Sequence, residues 1–334
     1  MKALLPAAGL VLYFASLGVC PTAAAETNRP VRNPILRGAD PHALVVGDTF
    51  WVYPTFSARR GEEFYAFSST NLYDWQRHGP VLQFRDLPWI PTDGQPRHGA
   101  WAPGVIERGG RYYFYFSAGP QNPTPSRIGV AVGDSPAGPF KDSGKPLITG
   151  GDGYEAIDPM AFRDPKSGKT YLYTGGSAGP KLRVFELNDD LVSIAREVAV
   201  ATPTNFTEGA FMQERNGTYY LSYSHGGWQD SSYSVHYATS DTPTGPWKYC
   251  GAILTSNDQH KGPGHHSFVR DPRTGEWLIF YHRWNQASGN GPFRGSREVC
   301  VDRVEYDASG LIKAIVMTDE WHRYSPASAA AAAR

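Results

Sequence analysis

The sequence predicts an all-β chain built as a five-bladed β-propeller, with four antiparallel strands in each blade. Three observations predict it. A short motif recurs five times, and each copy is followed by a polar turn and an aromatic β-run. Aromatic residues make up 13% of the 334 residues, Tyr leading with 19, while Gly 36 and Pro 27 supply turns. Helical periodicity is nearly absent, residues 191–200 being the doubtful exception. Aromatic and β-branched side chains suit pleated, half-buried strands, and Gly and Pro suit tight turns. A repeat of about 50 to 60 residues makes blades or solenoid turns. Radial closure leaves only short sheet edges exposed.

The motif copies are Ala39-Asp40-Pro41, Trp101-Ala102-Pro103, Ile157-Asp158-Pro159, Thr207-Glu208-Gly209 and Gly264-His265-His266-Ser267. The aromatic runs behind them are residues 49–53, 111–116, 170–173, 218–223 and 276–281. In the third repeat the four strands read as 156–163, 170–175, 182–187 and 194–200. The outer halves repeat as well: residues 132–140 match 239–247, and 68–75 are a looser copy. Neighbouring strands in a blade are antiparallel, so all five inner strands start on one rim. That rim also receives the loops between second and third strands, 57–63, 118–127, 175–181, 224–233 and 283–297. Loops gathered on one face of a rigid scaffold are where sites are built.

The ends lie outside this pattern. Lys2, an apolar stretch over 4–19 and Ala23-Ala24-Ala25 read as a cleaved secretory signal peptide, residues 1–25. A secreted or periplasmic protein is therefore expected. Leu17-Gly18-Val19-Cys20 loosely resembles a lipoprotein box, but Val19 is too large for the residue before such a cysteine. The propeller is expected over 26–322, and 323–334 is a low-complexity tail. Lys+Arg 32 balance Asp+Glu 32, which disfavours nucleic acid and anionic membrane as partners. Beyond the signal, Cys250 and Cys300 either pair or stand as buried thiols.

Three of the motif copies carry a carboxylate. Asp158 is followed by Phe162-Arg163-Asp164-Pro165, and His265, at the same spacing, by Val269-Arg270-Asp271-Pro272. His265 is thus the counterpart of Asp158, and Asp40 and Glu208 are read into the same slot. Clustered acids at a partly dehydrated mouth repel, so their pKa values separate. One stays protonated while another stays ionised, the division of labour that glycosidic cleavage needs. A single Asp before Pro is more often a turn residue, which is the reading for Asp164 and Asp271. Three acids in matched repeats point to chemistry.

These five motifs, in order and each heading its own repeat, resemble glycoside hydrolase family 43, five-bladed propellers acting on plant cell-wall glycans. The resemblance covers nearly all of the mature chain. It implies Asp40 as general base, Glu208 as general acid, and Asp158 as the residue that raises the acid's pKa and orients it. It implies inversion by a single displacement. Gly104 stands where the family often has an acid, and His42 where a small or apolar residue is common.

The resemblance also suggests that His265 faces a channel cation, often calcium, although no calcium-type acidic loop is present. No cofactor is required for the chemistry. His266 is kept among the candidate substrate contacts, although strand alternation turns it into the blade packing. Trp101 and Trp228 are candidate sugar platforms on the rim. The family places an arginine from the last rim loop against substrate hydroxyls, and Arg297 is favoured over Arg294. The segment 84–99, with Trp89, Asp93, Arg97 and His98, reads as an ordered loop that narrows the rim toward a pocket.

The implied partner is an arabinose-, xylose- or galactose-containing polysaccharide or oligosaccharide. α-L-Arabinofuranosidase leads, followed by β-xylosidase, exo-galactanase and endo-arabinanase. A non-catalytic sugar-binding propeller would not need the three acids. Invertase-like propellers carry Arg-Asp-Pro as Arg163-Asp164-Pro165 does here, but that copy precedes a hairpin turn, away from the mouth. Pocket shape, and with it linkage preference, is not written in the motifs.

Overall fold

The computed structural model describes residues 29–56, 61–176 and 179–323. The signal-peptide and Cys20 readings lie outside the described residues, as does the tail beyond Arg323. Val31–Trp321 form one unit. The other unit contributes Arg29, Pro30, His322 and Arg323 to the described residues.

Five four-stranded antiparallel sheets stand in a ring, and no α-helix occurs among the described residues. Blade 1 runs Ala39–Val46, Thr49–Thr55, Glu63–Ser69 and Gln76–Gln83 from the inside outwards. Blade 2 runs Ala100–Arg108, Arg111–Ala118, Arg127–Gly133 and Lys141–Asp142, with Ile148–Thr149 also on its third strand. Blade 3 runs Met160–Arg163, Thr170–Gly176, Gly179–Leu187 and Ile194–Val198. Blade 4 runs Glu208–Arg215, Thr218–His225, Ser234–Ser240 and Lys248–Leu254. The periodicity over 191–200 is therefore resolved as an outer strand and the turn before it.

Blade 5 has three consecutive strands, Lys261–Arg270, Trp277–Trp284 and Arg297–Val304. Its outer strand is Leu36–Arg37, from the other end of the chain. Asn33 locks this closure. Its side chain accepts from Val301 N–H at 2.8 Å and donates to Val301 C=O at 2.9 Å, as a strand neighbour would. Val31–Arg32 then pairs with Glu320–Trp321.

Blades pack through their aromatic runs. Between blades 1 and 2, Phe64, Phe114 and Phe116 are fully buried, Phe64 meeting Phe114 edge-on at 5.1 Å. Such packing supplies apolar burial plus a directional term of about 0.5–1.5 kcal/mol per ring pair. Asp164 is a turn residue: it accepts from the backbone of Lys166 and Ser167, and also from Tyr219 Oη at 2.5 Å. Asp271 caps Arg273 in the same way. Cys250 and Cys300 lie in different blades and are free thiols.

Candidate active site

The inner strands of blades 1, 2, 4 and 5 are bulged near their starts, and blade 3 makes the equivalent turn just ahead of its first strand residue, Met160. Ala39 pairs with Thr55 and His42 with Tyr53, so three steps on one strand face two on the other. Blades 2 and 4 show the same shift. At each of these points one residue takes a positive φ: Asp40 at 49°, Ala102 at 40°, Asp158 at 57°, Gly209 at 63° and His265 at 37°. That conformation costs a non-glycine residue about 1–2 kcal/mol, and a bulge re-aims the side chain it carries.

Four of these amides are held by the preceding blade. Ala102 N–H donates to Thr55 Oγ1 at 2.7 Å, and Asp158 N–H to Ser117 Oγ at 2.9 Å. His265 N–H donates to Ser224 Oγ at 2.9 Å, and Asp40 N–H to His282 Nδ1 at 3.1 Å. Blade 3 breaks the series, because Gly175 occupies the position that bonds back to Ile157 and offers no side chain. Gly209 N–H donates instead to Asp158 Oδ2 at 3.0 Å. A missing hydroxyl in blade 3 thus ties the carboxylate of Asp158 to the backbone beside Glu208.

The register corrects one expectation. Glu208 pairs with Ser224, as Ala39 pairs with Thr55 and Trp101 with Ser117. Glu208 therefore shares a slot with Trp101, and Gly209 holds the slot of Asp40 and Asp158. His265 does hold it, as the spacing predicts. The three acids still meet at one mouth, from two registers rather than one.

Their environments differ sharply. Asp40 Oδ1 receives Arg297 Nη1 at 2.9 Å, with His282 Nδ1 at 3.3 Å and His265 Nδ1 at 3.6 Å. Burial opposes ionisation, yet the Arg297 guanidinium, the largest lowering influence, prevails and Asp40 is held well below the usual carboxylate range. None of the described residues bonds its Oδ2. Asp158 has no cation in hydrogen-bond contact. Burial, then the charges of Glu208 and Asp40, push it well above the usual range. Glu208 Oε1 accepts from Tyr233 Oη at 2.7 Å.

His282 is fully buried, and burial lowers its pKa to about 4. An amide can only donate, so His282 Nδ1 carries a lone pair and the proton sits on Nε2. Nδ1 therefore cannot also donate to Asp40 Oδ1, and Arg297 is the true partner of that oxygen. The arrangement holds one carboxylate ionised and pushes another toward its protonated form under the charge of a third, which is acid–base machinery.

A model of the glycosyl hydrolases family 43 matches residues 31–312. The chain belongs to glycosyl hydrolase family 43. A β-D-galactofuranosidase of Aspergillus niger is 36% identical over 89% of this chain and 88% of its own. A xylosidase/arabinosidase of Bacteroides ovatus is 30% identical over 84% and 96%. Among solved structures, a β-xylosidase/α-arabinofuranosidase from a compost metagenome, complexed with xylotriose in a calcium-free form, is 29% identical. It superposes with a TM-score of 0.69 over 86% of this chain and 98% of its own. Like its family, this chain is a glycoside hydrolase, and the chemistry needs no cofactor.

Other predicted residues of this family-43 site are placed as follows. Trp101 is half-buried, its indole lying over Gly99 and Gly119, where a Cβ would fall 2.2 Å from the ring. Trp228 is half-buried rather than free-standing: it stacks on Trp284 at 5.9 Å, and Arg297 lies 4.9 Å over it. Arg297, not Arg294, reaches the acids. His266 is corrected. It is buried, bonded to Ser222 Oγ at 2.7 Å and flanked by Phe211 and Phe268, so it does not reach the mouth.

His265 turns Nδ1 toward Asp40 and Asp158, and among the described residues no three His, Cys, Asp or Glu side chains are arranged to hold an ion. The residues do not form a calcium cage. Gly104 has a steric reason: a Cβ there would lie 2.2 Å from Pro159 C=O. His42 is buried and bonds Val105 C=O at 2.8 Å. Loop 84–99 is pinned by Asp93, which meets His98 at 2.9 Å and Arg127 at 2.7 Å.

A cavity of about 660 Å³ opens beside Asp40, between Ala39, Phe56, Trp228, Phe293, Arg294 and Arg297. Sequence reasoning missed His282 and Tyr233. The bulge residue of each blade needs a side-chain acceptor from the blade before it, and Tyr281-His282-Arg283 occupies the stretch homologous to Tyr223-Ser224. That alignment was the available signal for His282.

Proposed function

We propose that this chain is an exported, inverting exo-glycosidase that releases terminal furanosides from plant cell-wall glycans, α-L-arabinofuranosides first. The observation that carries the reading is the asymmetry of the acids: Asp40 held ionised by Arg297, Asp158 pushed toward the protonated form beside Glu208. Asp40 Oδ2 takes a proton from water as that water attacks the anomeric carbon. Glu208 protonates the leaving oxygen, so the C–O bond breaks as the new one forms, with inversion. Asp158 keeps a proton available near Glu208 and fixes the Gly209 amide.

The galactofuranosidase relative favours β-D-galactofuranosides as the second reading. The two sugars share ring configuration and differ in the exocyclic chain. β-Xylosides follow, because other relatives are named xylosidase/arabinosidase.

The test is hydrolysis of 4-nitrophenyl α-L-arabinofuranoside, β-D-galactofuranoside and β-D-xyloside, with Glu208→Gln alongside and the product anomer read by NMR. Cleavage of the arabinofuranoside with inversion, lost in Glu208→Gln, is expected. Cleavage that survives in the variant would remove Glu208 from the acid role. Cleavage of the xyloside alone would replace the furanoside reading. Export is tested by N-terminal sequencing of the protein from culture medium or periplasm, a start beyond residue 25 being expected.

A further inference from the structure

The cavity beside Asp40 carries charge that hydrolysis does not use. Its charged lining residues are Arg37, Arg294 and Arg297, and no carboxylate lines it among the described residues. Arg297 is committed to Asp40. Arg37 and Arg294 are exposed and make no hydrogen bond or ion pair among the described residues. Glu298 stands opposite Arg37 in the strand register and feels its charge, but it takes its hydrogen bond from Asn285 Nδ2, so Arg37 keeps all its donors. Asp40, the nearest acid of the site, is already neutralised by Arg297.

The apolar part of the wall is aromatic: Phe56, Trp228, Trp284 and Phe293. Trp284 and Phe293 are buried, with ring centroids 6.0 Å apart, and Trp284 Nε1 donates to Trp228 C=O at 2.9 Å. The wall is therefore built before any ligand arrives. Aromatic faces suit the C–H surface of a sugar ring. Guanidinium groups only donate hydrogen bonds, whereas a neutral sugar hydroxyl both donates and accepts. A group that only accepts, planar and anionic, fits two exposed guanidiniums with free donors better.

We propose that this cavity is a subsite for a hexuronate residue, its carboxylate held by Arg37 and Arg294, on the same glycan as the sugar that is cleaved. The proposal rests on the furanosidase reading only for the identity of that glycan; the carboxylate recognition stands on the cavity itself. Glucuronate branches and galacturonate backbones share this chemistry.

The test is calorimetric binding to Glu208→Gln protein, which does not consume its ligand. Two probes are used, a glucuronoxylo-oligosaccharide and trigalacturonate, each against its carboxyl-reduced form. At least one acidic probe is expected to bind about tenfold more tightly than its reduced form, the effect of one charge-assisted hydrogen bond. Whichever probe shows the preference names the source of the uronate. In Glu208→Gln carrying Arg37→Gln and Arg294→Gln, the acidic and reduced forms should bind alike. Arg294→Gln alone, in a loop and without partners, should lose part of the preference if the double change disturbs folding.

Equal binding of acidic and reduced forms by the parent protein would overturn the proposal, and so would a preference that survives loss of both arginines. A clear uronate preference in a protein that cleaves none of the aryl furanosides would leave the subsite standing and remove the furanosidase reading.

Discussion

Replacing Arg297 by Gln tests what holds Asp40 ionised. The guanidinium lies 2.9 Å from Asp40 Oδ1, and each side chain is about 10% exposed. At an effective dielectric of about 20 and a charge separation of about 4 Å, the pair is worth about 4 kcal/mol. Leaving one buried charge without its partner costs about 3–5 kcal/mol, so the two figures agree. Asp40 is depressed in the folded protein. Its ionisation therefore stabilises the fold above the unfolded-state value of about 3.9, and that stabilisation is lost as pH falls through the folded value. Without Arg297, the burial that opposes ionisation loses its main counterweight, and Asp40 titrates higher.

The acid limb of kcat/KM should move to higher pH, because the base must be ionised to activate water. At neutral pH the variant should melt on the order of 5–10 °C lower. The assay is the pH profile of kcat/KM on whichever aryl glycoside is cleaved, with a melting curve at each pH. An acid limb in its original place, in a variant that remains folded, would refute the assignment of Asp40 as an Arg297-held base.

Three further outcomes are expected. Tyr233→Phe removes the hydroxyl 2.7 Å from Glu208 Oε1 but keeps the ring that stacks on His282; kcat should fall about tenfold with KM little changed, the effect of one lost hydrogen bond to a carboxyl, read by steady-state kinetics. Asn33→Ala removes the acceptor of the Val301 N–H at the closure of blade 5, while Val301 C=O keeps Trp321 Nε1 at 2.7 Å, and should cost about 1–3 kcal/mol in denaturant unfolding. Asp302 is buried, and burial raises its pKa to about 6 despite bonds from Thr318 and Tyr281. The folded state then holds a proton that the unfolded chain has released, so stability should decline between about pH 4 and 6, and Asp302→Asn should flatten that slope in pH-dependent melts.

Much of the fold was legible because a propeller repeats its grammar. A positive-φ residue and an aromatic run recur wherever an inner strand begins, with a proline between them in three of the five, so five strand starts and their common rim can be read in order. The counterpart of Asp158 in blade 5 was legible as His265 because both are followed by the same Arg-Asp-Pro turn at the same spacing. Glu208 was placed one residue out of register. Its motif lacks the proline, and nothing local says that Gly209 rather than Glu208 takes the left-handed turn. His266 shows the opposite limit: its place in a motif suggests the mouth, while its neighbours Ser222, Phe211 and Phe268 bury it.

The sequence alone determined the blade count, the run of inner strands, and which acids head their repeats, because these depend on local periodicity and turn chemistry; the closure of blade 5 by Leu36–Arg37 came only with the structure. Only the tertiary structure decided which acid keeps its proton. That depends on Arg297 and His282, which reach the mouth from the third and second strands of blade 5, and on Tyr233, which stands just before the third strand of blade 4. It also depends on Gly175, whose missing side chain hands the Gly209 amide to Asp158. Charge stabilisation acts through space over a few ångströms, and a strand shifted by one residue changes every partner.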